Sequence, residues 1–373
     1  MLLLLLGYSL LIDYYRRSWN KIPSSDIKGS PEENNTRVTV IIPARNEEMN
    51  ISNCLESILQ QSYPHSLIEI IVVDDHSTDR TAELVKNFKS PFIRLINLRE
   101  YISEKETNAY KKKAIEIAIE KSSGELIITT DADCIVSLDW IKSIVFLYRQ
   151  QRAAFIAAPV RIIDRFSLLS IFQSLDFITL QGITGAAVYK KIYPMCNGAN
   201  LAYAKTAFQA VNGFEGINAI ASGDDMLLMH KISKKFPEKI FFLKTQDAIV
   251  STQPAADWKS FFNQRIRWSS KADKYDNQNI FLTLLFVYIF NLCLLVFFIA
   301  AIWNIHWLLF FILLITGKTM AEFRFVYTIA VFFGQSHLMR YFFFLQPLHI
   351  VYIIIAGTMG KFGNYEWKNR KVK

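Results

Sequence analysis

"IEIIVVDDHSTDRTAELVKNF", residues 68–88, holds the pattern that decides the fold. Ile68, Ile70, Ile71, Val72 and Val73 form a short β-branched run ending on two aspartates. An apolar run of that length without alternation reads as a buried strand. The "STD" that follows reads as a helix start, and "TAELVKNF" as the helix.

Working outward, the same unit recurs. "VTVIIP" (38–43) precedes a helix with apolar residues at Ile51, Cys54, Leu55, Ile58 and Leu59. "FIRLINL" (92–98) is a third run, "KKKAIEIAIEKS" (111–122) a further helix and "GELIITT" (124–130) a fourth run. Short strands alternating with longer helices predict βαβ units, an α/β fold and a mostly parallel sheet. Ligands of such sheets bind at the carboxyl ends of the strands. Three ends carry polar clusters: Pro43-Ala44-Arg45-Asn46-Glu47, Asp74-Asp75 and Asp131-Ala132-Asp133. No G-x-G-x-x-G follows the first strand and no Walker A lysine motif occurs, which disfavours a dinucleotide dehydrogenase and a P-loop NTPase.

The 373 residues are 51% hydrophobic and carry a net charge of +9. Between Ile280 and Gly360 the only Asp, Glu, Lys or Arg residues are Lys318, Glu322, Arg324 and Arg340. Residues 280–303 form an uncharged stretch long enough to cross a hydrocarbon core of about 30 Å. A second apolar run, 305–316, suggests a hairpin turning near Asn304, and 342–357 is a third, so at least two C-terminal spans are expected. The N-terminal "LLLLLGYSLLI" (2–12), flanked by Tyr14, Tyr15, Arg16, Arg17, Trp19 and Lys21, reads as a short or truncated membrane anchor. The expected layout is an anchor at 1–21, a linker at 22–37, a catalytic domain at 38–275, transmembrane or interfacial helices at 280–360 and a basic tail at 361–373. Basic residues near the apolar ends fit positive-inside orientation, and no aromatic–basic motif points to nucleic acid. Four cysteines without a CxxC pair and six histidines without HExxH argue against zinc and a disulfide framework.

Three constellations carry chemistry. Asp131 and Asp133 are i and i+2, so in an extended segment both point to one side, where a divalent cation relieves their repulsion. A solvated turn explains the same pair locally. Asp224 and Asp225 open "DDMLLMHKI", as a general base beside an acceptor or as a helix cap with first-turn charge. Gln264, Arg267 and Trp268 share one helix face, with Trp258, Phe261, Phe262 and Ile266 on its apolar side. That helix either contacts substrate or anchors at the membrane surface.

"VTVIIPARNEE", "IEIIVVDDHSTDRT", "DADC", "GANLAYAKTAFQAVNGFEG", "SGDD" and "QRIRW", in this order, resemble the family-two glycosyltransferases, in particular their membrane-bound branch with a Q-x-x-R-W motif. The resemblance covers about residues 38–268 and the helices beyond. It implies a GT-A fold with helices on both sheet faces, a nucleotide-diphosphate sugar donor of UDP type, Mg²⁺ or Mn²⁺, and inversion at the anomeric carbon. Pro43, Arg45 and Glu47 match the nucleotide-contacting stretch, and Asp75 the carboxylate that reads the base. Asp131 and Asp133 match the metal and diphosphate motif, Asp225 the base with Asp224 beside it, and Gln264, Arg267 and Trp268 the Q-x-x-R-W motif. Lys111 lies 20 residues before Asp131, where the family often has a lysine, and which of Lys111 and Lys112 points inward stays open. His76 stands where Gly or Asn is more usual, and Asp224-Asp225 where Glu-Asp is common.

The reading is therefore a glycosyltransferase in the bacterial inner membrane with a cytosolic catalytic domain, acting on a lipid-linked or saccharide acceptor. A nucleotidyl- or phosphotransferase acting on a membrane lipid is the alternative enzyme, and a non-catalytic membrane scaffold the alternative class.

Overall fold

The computed structural model describes residues 1–24, 35–103, 109–193, 195–220, 223–270 and 278–362, and the backbone of 366–367 and 370–371. Most of the expected linker (25–34) and most of the basic tail lie outside the described residues. The chain divides into a helical unit, Met1–Lys21, Asp164–Ile183 and Pro254–Lys373, and a sheet unit, Ile22–Ile163 and Thr184–Gln253. Residues 164–183 and 254–270, which the sequence places in the catalytic domain, group with the apolar helices.

Helix α1 is Leu2–Lys21. The sheet unit follows with β1 (Val38–Ala44), α2 (Ile51–Leu59), β2 (Ile68–Asp74), α3 (Thr81–Asn87), β3 (Ile93–Asn97), α4 (Tyr110–Lys121) and β4 (Leu126–Thr129). Then come α5 (Trp140–Gln151), β5 (Phe155–Ala157), β6 (Val160–Ile162), α6 (Leu168–Tyr189), β7 (Leu201–Ala204), α7 (Lys205–Ala210), α8 (Met226–Lys235), β8 (Ile240–Phe242) and β9 (Val250–Thr252). Seven strands pair in the order β3-β2-β1-β4-β7-β5-β8. β3, β2, β1 and β4 are mutually parallel, while β7 runs antiparallel to both β4 and β5.

The expected mostly parallel α/β sheet is present. β1, β2 and β4 are buried along nearly their whole length, as strands covered by helices on both faces must be. α2 buries Ile51, Cys54, Leu55 and Ile58, the i, i+3, i+4, i+7 stripe of an amphipathic helix. The start of α3 is held by Asp79, whose Oδ1 accepts from the Thr81 backbone N–H at 3.0 Å. Asn200 is fully buried just before β7. It accepts from Trp140 Nε1 at 2.9 Å and donates to the carbonyls of Pro159 and Ala248 at 2.8 Å each. A buried amide satisfied this way fixes where β7 enters the sheet.

That entry matters for the site. Leu201 pairs with Thr129 in antiparallel register. Residues 198–200 therefore reach the same edge where β1, β2 and β4 end.

The helical unit contains α1, the first part of α6, α9 (Trp258–Ser269), α10 (Gln278–Ala300), α11 (His306–Phe332) and α12 (Phe342–Phe362). α10 and α11 are joined by a turn in which Asn304 Oδ1 accepts from the His306 N–H, at the expected hairpin position. The second apolar run and the residues after it, through Phe332, form the single helix α11. Among the described residues, Gln278–Ala300 and Ser336–Phe362 are long and apolar enough to cross a membrane, by length and composition. Their apolar side chains point largely outward, with Phe298, Leu285 and Phe344 all exposed.

The interior of this unit holds charge. Lys318 Nζ lies 2.8 Å from Glu322 Oε1 and donates to Gln346 Oε1 at 2.7 Å, and Gln346 Nε2 donates to Glu322 Oε2 at 2.8 Å. The Tyr8 hydroxyl donates to Glu322, which ties α1 to α11. Removing one partner of a buried ion pair typically costs about 3–5 kcal/mol, because the other charge is stranded. Lys318→Met alone is expected to lower the thermal midpoint sharply, while Lys318→Met with Glu322→Leu recovers most of the loss. Scans of both variants in detergent check this, and equal losses in the two would refute the pairing.

Candidate active site

The centre of the site is built by α4, the end of β4 and the start of α8. Lys111, in the first turn of α4, places Nζ 2.7 Å from Asp131 Oδ1 and 3.3 Å from Asp224 Oδ2. Burial alone pulls the Lys111 pKa down, but the charges of Asp131 and Asp224 outweigh it and hold the ammonium protonated. Asp225 caps α8: its Oδ1 accepts from the Met226 N–H at 2.7 Å, and its Oδ2 from the Gly198 N–H at 3.2 Å. The helix-cap reading of this pair is therefore met at Asp225. Gly198 packs closely against this pair: a Cβ there would lie 3.1 Å from Lys111 Nζ and 3.3 Å from Asp224 Oδ2.

β4 ends at Thr129, and Ala132 and Asp133 form a turn closed by Cys134 N–H donating to Asp131 O at 3.2 Å. The extended geometry expected for Asp131 and Asp133 does not reach them, and the two carboxylates take different partners. Asp131 meets Lys111, whereas Asp133 Oδ2 accepts from Thr252 Oγ1 at 3.1 Å and its Oδ1 faces Cys134 Sγ at 3.6 Å. Cys54 lies beneath, with Sγ 3.7 Å from Asp131 O. Burial, then the nearby carboxylates, pushes both thiols well above their ordinary pKa, so they stay neutral donors.

Hard carboxylate oxygens suit Mg²⁺ or Mn²⁺, and the Asp131 side chain is 37% exposed. Among the described residues no group of three or more His, Cys, Asp and Glu converges to hold an ion. One or two carboxylates completed by substrate phosphates is the usual way Mg²⁺ is held, and these residues fit that arrangement.

The ends of β1 and β2 form the second part. Arg45 Nη1 donates to the Asp75 carbonyl at 3.1 Å and lies 3.7 Å from its carboxylate. His76 Nδ1 is 3.0 Å from Asp75 Oδ1. Pro43 sits on β1 opposite Val73. The Glu47 N–H donates to Thr81 Oγ1 at 2.8 Å, and its carboxylate accepts from Asn50 at 2.9 Å. Asp74 Oδ1, also buried here, has no hydrogen-bond partner among the described residues.

The open question about the two lysines resolves in favour of both. Lys111 faces the carboxylates. Lys112, buried, donates to the carbonyls of Ile217 and Ile220 at 2.7 and 2.8 Å. Lys231 on α8 donates to the carbonyls of Gly213 and Glu215 at 2.7 and 2.6 Å. Ammonium groups from two helices thus hold residues 213–220, which lead to the acidic pair. Sequence reasoning also missed Tyr203 on β7. Its hydroxyl is buried without a partner among the described residues, and burial followed by the Asp224 charge pushes its pKa up.

In the helical unit, α9 carries Gln264, Arg267 and Trp268, all half-buried. Its buried cation is Arg265, outside the motif, whose Nη2 lies 2.7 Å from Asp176 Oδ2. Arg265 also donates to Gln264 Oε1 at 3.0 Å and lies 4.3 Å from the Trp268 ring centre. One face of the Trp268 ring is therefore occupied by a guanidinium. The available signal was a charged residue four positions after Phe261, on the apolar side of the helix.

Residues 39–211 match the family described as Glycosyl transferase family 2, and residues 126–355 match Glycosyl transferase family group 2. The probable glycosyltransferase YdaM of Bacillus subtilis is 29% identical over 241 residues, 62% of this chain and 54% of that protein. The glycosyltransferase AglE of Haloferax volcanii is 35% identical over 105 residues, 28% of this chain and 33% of that protein. The chain thus spans about half or less of these curated relatives. The structure of the mannosyltransferase PcManGT from Pyrobaculum calidifontis, in complex with GDP-Man and Mn²⁺, superposes with a TM-score of 0.56 at 20% identity, covering 95% of each chain. At that identity the likeness shows the fold.

Lys112→Met removes the donor that holds the Ile217 and Ile220 carbonyls, and each lost hydrogen bond to a charged group costs roughly 1.5–3 kcal/mol. Hydrogen exchange is expected to speed up at residues 213–220 while the β1–β4 amides keep their protection. Unchanged protection in the loop would show that Lys112 does not anchor it.

Proposed function

Because the chain belongs to the family 2 glycosyltransferases, we propose that it is a membrane-bound, metal-dependent, inverting glycosyltransferase. Its donor is a nucleotide-diphosphate sugar of UDP type, and its acceptor a lipid-linked glycan or a saccharide. The observation that carries this reading is the meeting of Asp131, Lys111, Asp224, Asp225 and Gly198 at the edge where β1, β2 and β4 end. Carboxylates for a metal and for a base stand there beside an ammonium, which is what departure of a diphosphate and activation of a hydroxyl require.

Arg45, Glu47, Pro43 and Asp75 receive the nucleoside, with Asp75 held by Arg45 and His76 so that its carboxylate is oriented before the base arrives. Asp131 and Asp133 would hold Mg²⁺ or Mn²⁺, which would neutralise charge on the leaving diphosphate. Lys111 adds a further positive charge on the same side. Asp225 accepts the proton of the attacking hydroxyl. Asp224 is committed to Lys111, whereas Asp225 is held in one orientation by backbone N–H groups. Arg267 and Gln264 are assigned to the diphosphate, and Trp268 to the acceptor or sugar ring.

The helices Gln278–Ala300 and Ser336–Phe362 support a place in the bacterial inner membrane, with the sheet unit in the cytosol where soluble donors are made. A donor screen on the purified chain with a membrane lipid extract, read by product mass, tests the activity. Release of a nucleoside diphosphate supports sugar transfer, and release of pyrophosphate would replace it with nucleotidyl transfer.

Asp133→Ala is expected to abolish the Mn²⁺ dependence of UDP binding. If wild type and this variant bind UDP equally with and without Mn²⁺, the metal assignment is wrong. Asp225→Asn is expected to bind the donor normally while turnover falls ~10²–10⁴-fold, the usual cost of losing a general base. Near-normal turnover in that variant moves the role to another group.

A further inference from the structure

We propose that Lys111 is a tethered cation that occupies Asp131 while the donor is absent, and that it must yield this carboxylate to the metal, so that a divalent ion binds only together with the nucleotide. The proposal deepens the metal reading of Asp131 and Asp133 and rests on it.

Three observations carry it. First, Lys111 Nζ bridges the carboxylate assigned to the metal, at 2.7 Å, and the Asp224 carboxylate in the segment of the base, at 3.3 Å. A metal bonded to a carboxylate oxygen sits at about 2.0–2.1 Å, so ammonium and metal compete for Asp131 Oδ1. Second, the root of the lysine is fixed. α4 is buried through Ala114, Ile115, Ala118 and Ile119, and the neighbouring Lys112 is locked onto Ile217 O and Ile220 O. Only the four-carbon side chain of Lys111 is free to pivot. Third, Nζ has somewhere to go. Asp224 remains within reach, and Gly198 leaves the space around Nζ that any Cβ would crowd at 3.1 Å. On donor arrival the ammonium shifts from Asp131 toward Asp224 and the phosphates, and its loss from Asp131 is compensated only when those phosphates are present. The empty site then rejects free metal and keeps its carboxylates paired.

The test is Mn²⁺ binding to the full chain in detergent, followed by electron paramagnetic resonance without nucleotide. Lys111→Met is expected to bind free Mn²⁺ about tenfold more tightly than wild type, a difference of ~1.4 kcal/mol. Lys111→Arg keeps a cation at Asp131 and keeps the weak affinity. With UDP present the gain of Lys111→Met disappears, because the lysine no longer sits on Asp131. Asp224→Asn removes one of the two carboxylates within ion-pair distance of Lys111 and leaves Asp131 as the other, so free Mn²⁺ binds more weakly than in wild type. In the Lys111→Met background the same Asp224→Asn change is expected to alter Mn²⁺ affinity less than about twofold. A simple field effect of the charges would instead persist in both backgrounds.

If Lys111→Met binds free Mn²⁺ no better than wild type, or if the Asp224→Asn effect is equal in both backgrounds, competition by Lys111 is refuted. Should Lys111→Met fail to fold, Lys111→Gln and the Asp224→Asn arm decide the question in the same way. Loss of competition together with intact metal-dependent UDP binding overturns only this proposal. UDP binding that ignores both Mn²⁺ and Asp133 overturns the metal reading as well.

Discussion

Crowding of negative charge on one sheet edge is the constraint around which the sheet unit is organised. Parallel strands deliver their carboxyl ends to the same side, and β4 brings Asp131 there. The start of α8 adds Asp224 and Asp225. Carboxylates gathered without a counter-charge repel and resist desolvation. Lys111 answers both problems with one ammonium, within hydrogen-bond or ion-pair distance of Asp131 and Asp224. The elements that position it follow from this. α4 packs deeply through small and β-branched residues, and Lys112 ties it to the stretch leading to the acidic pair. The chain joins residues more than a hundred positions apart because charge at the edge has to be balanced where it arises.

The first half of the sheet unit was legible because its signals are long. β1 and β2 are seven residues each and almost wholly buried, so a β-branched run identifies them. Their helices show a clear apolar stripe. β5, β6, β8 and β9 have three residues each, too few to display any period. Nor does local sequence reveal that β7 inserts antiparallel between β4 and β5, since that pairing is fixed by the buried Asn200 and by register across long separations. At the site, residue type and order pointed to Asp131, Asp224 and Asp225, but geometry did not follow from spacing. The i, i+2 argument for Asp131 and Asp133 presumes extended backbone, and the strand ends two residues before Asp131. Two adjacent lysines differ by about 100° around a helix, so both could find inward partners, one among carboxylates and one among carbonyls.

The helical unit solves a related problem among apolar side chains. Lys318 and Glu322 are one helical turn apart, so a single helix supplies both charges, and Gln346 from α12 satisfies each of them. Arg265 and Asp176 bring α9 and α6 together in the same way. In both cases the charged group lies among apolar side chains and at least one polar partner comes from another helix, so the network helps specify which helices meet. Arg265 illustrates how a motif can distract from the residue beside it. Arg267 belongs to the Q-x-x-R-W pattern and is half-buried, while Arg265 bears the buried contacts with Asp176, Gln264 and Trp268.

His76 shows what the edge demands of the backbone. Its φ is +54°, in the left-handed region where a side chain costs roughly 1–2 kcal/mol, which fits the glycine or asparagine that the resemblance implies for this point of the motif. The conformation turns the chain sharply after β2, while the Asp75 N–H still donates to the Ala44 carbonyl at 2.8 Å and so remains in register with β1. The imidazole offsets part of the strain. It is buried, its Nδ1 lies 3.0 Å from Asp75 Oδ1, and its ring meets the Tyr110 ring edge-on at the start of α4. A residue that is unfavourable for the turn thereby links the end of β2 to the helix that carries Lys111. Glycine would relax the backbone but remove that link, and asparagine would keep the turn with a shorter reach. The departure from the usual residue therefore exchanges local backbone ease for a contact between the two parts of the edge.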